Sequence, residues 1–188
     1  MKKSVILIGL IFFVSQLMAQ STRAKQAFEL EVDPIAYLLK GYSLHGIYHR
    51  NHLRFDVGVY GIEPPEFAHG NEGFTVKNQG VGIKVNYLFK DVQGFYAGLD
   101  GGFGSTQATF KKTEEKDTGH SYSLDVHAGY RIFPFLHAEG FLKGFYLNPW
   151  AGFGYDFIYD KVKMSSQPFK QSKTTFFPTI HLGYRFSK

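Results

Sequence analysis

The sequence predicts an all-β fold, an eight-stranded antiparallel up-and-down β-barrel. Eight segments alternate apolar and polar residues with a period of two, which is the period of a strand and not of a helix. Aromatic residues make up 18% of the 188 residues, and there are 21 glycines. After the first twenty residues no apolar run approaches the ~18 residues of a membrane-spanning helix, so many short strands are indicated.

The first residues, `MKKSVILIGLIFFVSQLMAQ`, precede this pattern. Lys2 and Lys3 come before an apolar core at 5–14, and Ala19 ends a small-residue cleavage site, as in a secretory signal peptide. We therefore expect residues 1–19 to be a signal peptide and residues 20–188 to be the barrel domain. Because the chain has no cysteine, it has no lipidated cysteine, disulfide or thiolate metal site.

The charge of the mature chain is small. Of 21 basic residues two lie in the signal, which leaves 19 against 16 acidic residues and a formal charge of +3. These charges are dispersed, and no Lys/Arg-rich run of the kind that nucleic-acid binders carry is present. We therefore expect no nucleic-acid partner.

Eight predicted strands follow in order, at 27–38, 41–49, 52–61, 75–89, 94–110, 120–133, 145–160 and 173–186. Long polar links follow the third, fifth and seventh strands, and short ones follow the second and fourth, which is typical of a barrel with one long and one short rim. The first link is predicted to be about two residues, and the link at 134–144 is unexpectedly long. Proline cannot donate to a ladder, so bulges or bends are predicted at Pro34, Pro149 and Pro178.

The two faces of these strands differ in charge. One face carries no charged residue and no histidine, whereas the other mixes both signs of charge with nine glycines. A soluble barrel would bury the apolar face, but glycines suit the crowded inside of a narrow barrel, and a charge facing lipid costs about 2–4 kcal/mol at the midplane. The pattern favours a transmembrane barrel with an internal charge network of Glu29, Glu31, Asp33, Arg54, Asp56, Lys84, Asp125, His127, Arg131, His181 and Arg185.

Barrel closure makes part of this network specific. The first strand carries an acidic row at Glu29, Glu31 and Asp33, and it must pair with the eighth strand to close the sheet. We therefore expect Arg185 and His181 to be the partners of that row. Tyrosines near the ends of the segments are expected to form aromatic girdles where lipid meets water: Tyr48, Tyr87, Tyr122, Tyr130, Tyr159 and Tyr184.

The last strand ends `IHLGYRF`, Ile180 to Phe186, with alternating apolar residues and an aromatic near its end. It resembles the C-terminal signature of outer-membrane β-barrel proteins, although Ser187 and Lys188 follow the aromatic. The mature chain as a whole resembles small eight-stranded barrels of the OmpA/OmpX type. This resemblance implies a location in the outer membrane of a Gram-negative-type bacterium, and recognition of Ile180 to Phe186 by the barrel-assembly machinery.

Three motifs invite chemical interpretations, and each has a simpler one. `GGFGS` (101–105) lacks the Gly-Lys-Ser/Thr ending of a phosphate loop. `SLDVH` puts Ser123, Asp125 and His127 on one face, but same-face neighbours lie about 7 Å apart, beyond hydrogen-bond reach. His45 and His49 in `HGIYHRNH` are about 13 Å apart and cannot share a metal, although His49 and His52 could meet across a turn. We predict no catalytic, metal or cofactor-binding residue.

The predicted function is therefore that of an integral, non-enzymatic outer-membrane barrel with a filled polar lumen, acting structurally or by surface binding through its long loops. The expected partners are outer-membrane lipid and lipopolysaccharide, and the barrel is expected to be a monomer. Three alternatives stay open: a lipid-modifying enzyme using His127 or His120, a small channel, and a soluble lipocalin-like carrier. The loop lysines expected to meet anionic head groups are Lys111, Lys112, Lys116, Lys161, Lys163, Lys170 and Lys173.

Overall fold

The computed structural model describes residues 26–90, 92–134 and 144–187. Eight antiparallel strands form a closed barrel in sequence order, with β1 paired to β8. The predicted signal peptide and most of the link at 134–144 lie outside the described residues. The strands are β1 Gln26–Val32, β2 Tyr42–Arg50, β3 Leu53–Ile62, β4 Phe74–Leu88, β5 Gly94–Phe110, β6 Glu115–Arg131, β7 Gly144–Tyr159 and β8 Thr174–Ser187.

Two of the predicted links are wrong in length. The first predicted strand stops at Val32, and helix α1 (Pro34–Leu38) follows it. Asp33 caps this helix by accepting from the Ile35 N–H at 2.8 Å, and Pro34 fits the first turn because its missing N–H is not needed there. The predicted loop at 111–119 is instead a turn at 111–114, because β6 begins at Glu115. The alternating residues at 115–119 belong to β6 and continue its ladder with β5.

Four connections share one end of the barrel, which we call the long-loop end. They are the β1–β2 link with α1, the β3–β4 link with helix α2 (Glu66–His69), the β5–β6 turn and the β7–β8 link. The other end, the short-turn end, holds the β2–β3 and β4–β5 turns, the outer ends of β1 and β8, and the β6–β7 link at 132–143, most of which lies outside the described residues. No helix in the described ranges is long and apolar enough to cross a membrane.

The apolar face of the sheet points outward. Phe28, Ile83, Leu124 and Phe176 leave 67%, 59%, 59% and 69% of their surface exposed, and the charged side chains of the alternate positions lie inside. A soluble barrel would show the opposite arrangement. Aromatic pairs such as Phe95 with Tyr130 mark the apolar band near the short-turn end, where the predicted Tyr48, Tyr87, Tyr130 and Tyr184 also lie.

The three prolines predicted to mark bulges or bends differ: Pro34 lies where the chain leaves β1 for α1, whereas no bulge occurs at Pro149 or Pro178. Pro149 and Pro178 pair in register with Ile180 and Ala151. On its other side each proline faces a gap in the hydrogen-bonded ladder. The β6–β7 ladder stops at Trp150, next to Pro149, and β8 pairs with β1 only from Leu182 onward, beyond Pro178. A residue without an N–H fits at such gaps.

The described register shift lies at Tyr122/Ser123 of β6, opposite Asp156 and Ile158 of β7. Phe157 is the extra residue in β7, and as a result Phe157 and Ile158 are both exposed although they are consecutive. The shift moves Tyr159 off the outward phase, which is why the prediction of Tyr159 as a girdle residue is wrong.

Candidate functional site: barrel interior and outer loops

The interior at the short-turn end is filled by a charge layer of six side chains: Glu29, Glu31, Arg54, Arg131, Tyr146 and Arg185. Arg54 of β3 reaches across to β1, donating from Nε to Glu29 Oε2 at 3.0 Å and from Nη2 to Glu31 Oε1 at 2.5 Å. All six are almost fully buried. Two buried carboxylates therefore face three buried guanidinium groups.

Three other strands complete this layer. Arg131 of β6 donates to Glu29 Oε1 at 2.9 Å and to the Val92 carbonyl at 2.8 Å. Tyr146 of β7 donates to the two carboxylates, at 2.7 Å for Glu31 and 3.0 Å for Glu29. Arg185 of β8 donates to Glu29 and to His49 Nδ1. Buried charges persist only when they are paired and hydrogen-bonded, and this layer meets that requirement across five strands.

Apolar side chains pack around the charge layer in two clusters. Val92 and Phe133 pack on Tyr146 toward the short-turn end. Leu88 and Tyr96, at the short-turn ends of β4 and β5, begin the second cluster, which Trp150 and Phe177 continue toward the long-loop end. Beside these clusters a cavity has room for about one water molecule, and it is bordered by Glu31, Asp56, His127, Asn148 and Trp150 among others.

The interior toward the long-loop end is acidic, and we call it the vestibule. His45 pairs with Asp56 at 2.9 Å, and Lys84 pairs with Asp100 at 3.5 Å while lying 3.9 Å over the Trp150 ring. Asp125 accepts a hydrogen bond from Ser123 at 3.4 Å.

Glycines give these side chains room. A Cβ on Gly154 would lie 2.3 Å from Asp125 Oδ1, and one on Gly58 would lie 2.1 Å from the His45 ring. Close approach therefore favours glycine at these two inward positions, as expected for a narrow barrel.

The predicted network divides into two groups and loses one member. Strand closure sets Glu29 opposite Arg185, and His181 Nδ1 lies 3.0 Å from Glu31. Asp33 takes no part: it caps α1 and accepts from the Thr179 hydroxyl at 2.7 Å, because β1 has ended there. The second group, in the vestibule, holds Asp56, Lys84, Asp125 and His127. His181 links the two groups, because it pairs with Glu31 and its ring lies 4.8 Å from that of His45.

Sequence analysis missed several interior partners. Tyr146, Asn148 and Trp150 bond to or stack on the predicted residues, and Asn148 Nδ2 donates to both oxygens of Glu31 at 3.2 Å. Their signal was present, since they alternate with the outward Phe145 and Leu147 and so share the inward phase of β7. The alternation does not give the position of each residue along the barrel axis, so it could not show which inward residues meet.

The suspected catalytic and metal-binding motifs make other contacts. Ser123 bonds to Asp125, whereas His127 Nε2 lies 2.5 Å from Asn86 Oδ1, so the serine and the imidazole do not form a nucleophile–base pair. His49 contacts Arg185 and the Asn51 carbonyl. His52 Nδ1 donates to the Leu88 carbonyl at 2.8 Å.

The loops at the long-loop end form a packed unit, the loop platform, made of residues 63–73, 111–114 and 160–173 with the strand ends beneath them. Phe74, Val76, Ala108 and Val162 form its buried core, and Phe110, Met164 and Phe169 pack against them. This core joins the β7–β8 link, through Val162, Met164 and Phe169, to the ends of β4 and β5.

Hydrogen bonds fix the long β7–β8 link onto this core. Asn71 exchanges two bonds with the Lys170 backbone, at 2.8 and 3.1 Å. Glu115, beyond the apolar band, accepts from the N–H groups of Ser165 and Ser166 at 2.6 and 2.9 Å, and hydrogen bonds from Ser166 and Ser165 lower its pKa to about 2. The link is therefore anchored along its length.

Comparison with known proteins agrees with this architecture. A family model described as the outer membrane protein beta-barrel domain matches residues 18–187, so the chain belongs to that family. The N-terminal β-barrel domain of Pseudomonas aeruginosa OprF is similar, with 10% identity, a TM-score of 0.50 and coverage of 87% of this chain and 100% of that one. Neisserial surface protein A has 14% identity, a TM-score of 0.49, and coverage of 88% and 96%. No curated protein matches the chain significantly.

Proposed function

We propose, with this family membership as the premise, that the protein is a closed barrel that acts by presenting its loop platform at the cell surface. The observation that carries the proposal is the charge layer, whose six buried side chains come from five strands, bond to one another across the interior and pack against two apolar clusters. In barrels of this architecture the longer loops are extracellular. The long-loop end would therefore face the outside.

The platform suits a binding role because a shared apolar core and backbone hydrogen bonds hold its loops together. A binding surface with one arrangement loses little conformational entropy when a partner docks. Its lysines Lys111, Lys112, Lys116, Lys161, Lys163, Lys170 and Lys173 would attract the anionic head groups of lipopolysaccharide around the barrel. We propose lipopolysaccharide as the first partner, and a monomer as the working state.

The alternatives find less support in the geometry. A small channel would need an aqueous path through the charge layer. A lipid-modifying enzyme would need a nucleophile beside its base, and Ser123 and His127 bond to different partners. A soluble carrier would bury the apolar face that this barrel exposes. We also propose that Ile180 to Phe186, the predicted recognition strand, is what the barrel-assembly machinery receives.

Planar-bilayer recordings of the purified, refolded protein test the closed barrel. We expect no conductance steps above the background of the empty membrane. A steady conductance that recurs in independent preparations would overturn the proposal in favour of a channel. Incubation with lipopolysaccharide followed by mass spectrometry tests the non-enzymatic role, which release or transfer of an acyl chain would contradict.

A further inference from the structure

Three neighbouring strands continue past the apolar band at the long-loop end, and their outward face becomes polar there. β4, β5 and β6 stay paired in register up to Phe74–Phe110 and Phe110–Glu115. Their outward residues form three rows of three, which we call the polar grid: Thr75, Thr109 and Lys116; Lys77, Gln107 and Thr118; Gln79, Ser105 and His120.

The grid adjoins the lipid-facing surface without a break. The next row toward the short-turn end is Val81, Phe103 and Tyr122, and apolar rows continue from it to Phe95 and Tyr130. Those rows cover about 27 Å along the strands, or roughly 20 Å along the membrane normal at the usual tilt, which is close to the apolar band of such barrels. The grid therefore lies at the height of the outer head groups.

Alternation along β6 sorts the charges at this height. Glu115 and Asp117 face inward, where they accept backbone N–H groups of the β7–β8 link, including that of Lys163 at 2.6 Å. Lys116 faces outward and is exposed. Lys77 on β4 is likewise exposed, and in the described part of the chain no carboxylate lies within ion-pair distance of either lysine. The grid thus has two free cations and no acid.

The other grid residues are hydrogen-bonding groups held by the sheet. Gln107 Nε2 lies 3.5 Å from the Thr118 hydroxyl, and the His120 ring stacks on Phe103 with centroids 5.7 Å apart. Lys77 and Lys116 stand two strands and one row apart, about 12 Å between Cα atoms. Two lysine side chains at that distance can converge on one phosphorylated sugar, with amides and hydroxyls between them.

We propose that the polar grid binds the phosphorylated disaccharide head group of an outer-leaflet glycolipid whose acyl chains lie along the apolar rows below it. Lys77 and Lys116 pair with phosphate, and Gln79, Gln107 and Thr118 bond to sugar hydroxyls. This inference rests on the proposed function and sharpens it. It moves the main contact from the lysines of the loop tips to the wall of the barrel, and it adds Lys77.

The test compares two double variants with the same loss of charge. Lys77→Gln/Lys116→Gln removes the cations of the grid, and Lys112→Gln/Lys170→Gln removes two exposed lysines of the loop platform. Each purified protein, confirmed as folded by its mobility on unboiled gels, is titrated in detergent with diphosphorylated lipid A. We expect the grid variant to bind about tenfold more weakly than the wild type. The platform variant should bind only about twofold more weakly, because its lysines supply the diffuse attraction of the proposed function and no direct contact.

Two further titrations identify the ligand chemistry. Dephosphorylated lipid A should bind the wild type as weakly as diphosphorylated lipid A binds the grid variant. Inorganic phosphate at the same concentration should not compete. Competition by inorganic phosphate would show a general anion site and overturn the head-group assignment.

The outcomes separate this inference from the proposed function. A grid variant that binds like the wild type, with a weakened platform variant, overturns the grid and leaves the proposed loop contact standing. A wild type that binds no lipid A overturns the grid and the proposed lipopolysaccharide contact together. Conductance of the barrel, measured separately, would overturn the closed barrel without touching the lipid titrations.

Discussion

The charge layer and the loop platform close opposite ends of one barrel by opposite means. The charge layer is made of buried ions from five strands, held by bonds such as Arg54 to Glu29 at 3.0 Å. The platform is made of apolar side chains from connections and strand ends, with Phe74 at its centre. The first is part of the barrel wall, and the second sits on top of it. We therefore expect damage to the first to unfold the barrel, and damage to the second to free only the loops.

The largest expected effect is from Arg54→Ala. It leaves the buried carboxylates of Glu29 and Glu31 short of a cation, and breaking such a pair costs about 3–5 kcal/mol. Arg185→Ala should cost less, about 1.5–3 kcal/mol, because Glu29 keeps Arg54 and Arg131. Urea unfolding in lipid vesicles measures both, with Lys112→Ala at the exposed turn as the control. Equal stability of Arg54→Ala and the control would show that the layer does not hold the barrel together.

A smaller effect is expected from crowding the same layer. A Cβ on Gly183 would lie 2.2 Å from the Tyr146 ring, whereas a Cβ on Gly46, on the lipid face, meets nothing within 4 Å. Gly183→Ala should therefore destabilise the barrel by about 1–3 kcal/mol by displacing Tyr146 from the two carboxylates. Gly46→Ala should change stability by less than about 0.5 kcal/mol. Equal urea midpoints for the two variants would mean that Tyr146 can move aside for the added methyl group without loss of stability, which would contradict the prediction.

Phe74→Ala should loosen the loop platform while the barrel with its charge layer stays folded. Removing this buried ring weakens the platform core by about 3 kcal/mol or more locally, which frees the β7–β8 link. We expect trypsin to cut whole cells after Lys161, Lys163 or Lys170 at least about tenfold faster. Phe67→Ala is the matched control because Phe67 is 90% exposed on α2. Unchanged cleavage in Phe74→Ala would mean that hydrogen bonds alone hold the link.

The sequence predicts the charge layer better than the platform, because the charge layer is built from regular strands and much of the platform from irregular links. The charge layer could be foreseen in part, because alternation sets Glu29 and Arg185 on one face and closure makes their strands neighbours. Alternation does not give the position of a residue along the barrel axis, so it could not predict that Arg54 contacts Glu31 across the interior. The platform was missed because Met164 and Phe169 lie in an irregular, polar-looking link without a period. The β7 bulge was also missed, since no residue type marks it.

The smallest expected effect is a pH dependence of the platform. The pKa of Glu115 in the folded protein is about 2, below its ordinary 4.5, so its contribution is complete above about pH 4.5 and declines as the pH falls toward 2. Amide hydrogen exchange, expressed as protection relative to the free peptide, should show the Ser165 and Ser166 N–H groups losing protection over that window.

Glu115→Gln supplies the comparison, because a neutral acceptor cannot titrate. Its Ser165 and Ser166 protection should be lower at pH 7 and flat between pH 4.5 and 2. The Arg54-dependent urea midpoint of the barrel should stay the same in this variant at pH 7. A barrel midpoint that followed Glu115 would mean that the platform and the charge layer unfold as one unit, and the division drawn between the two ends would then be wrong.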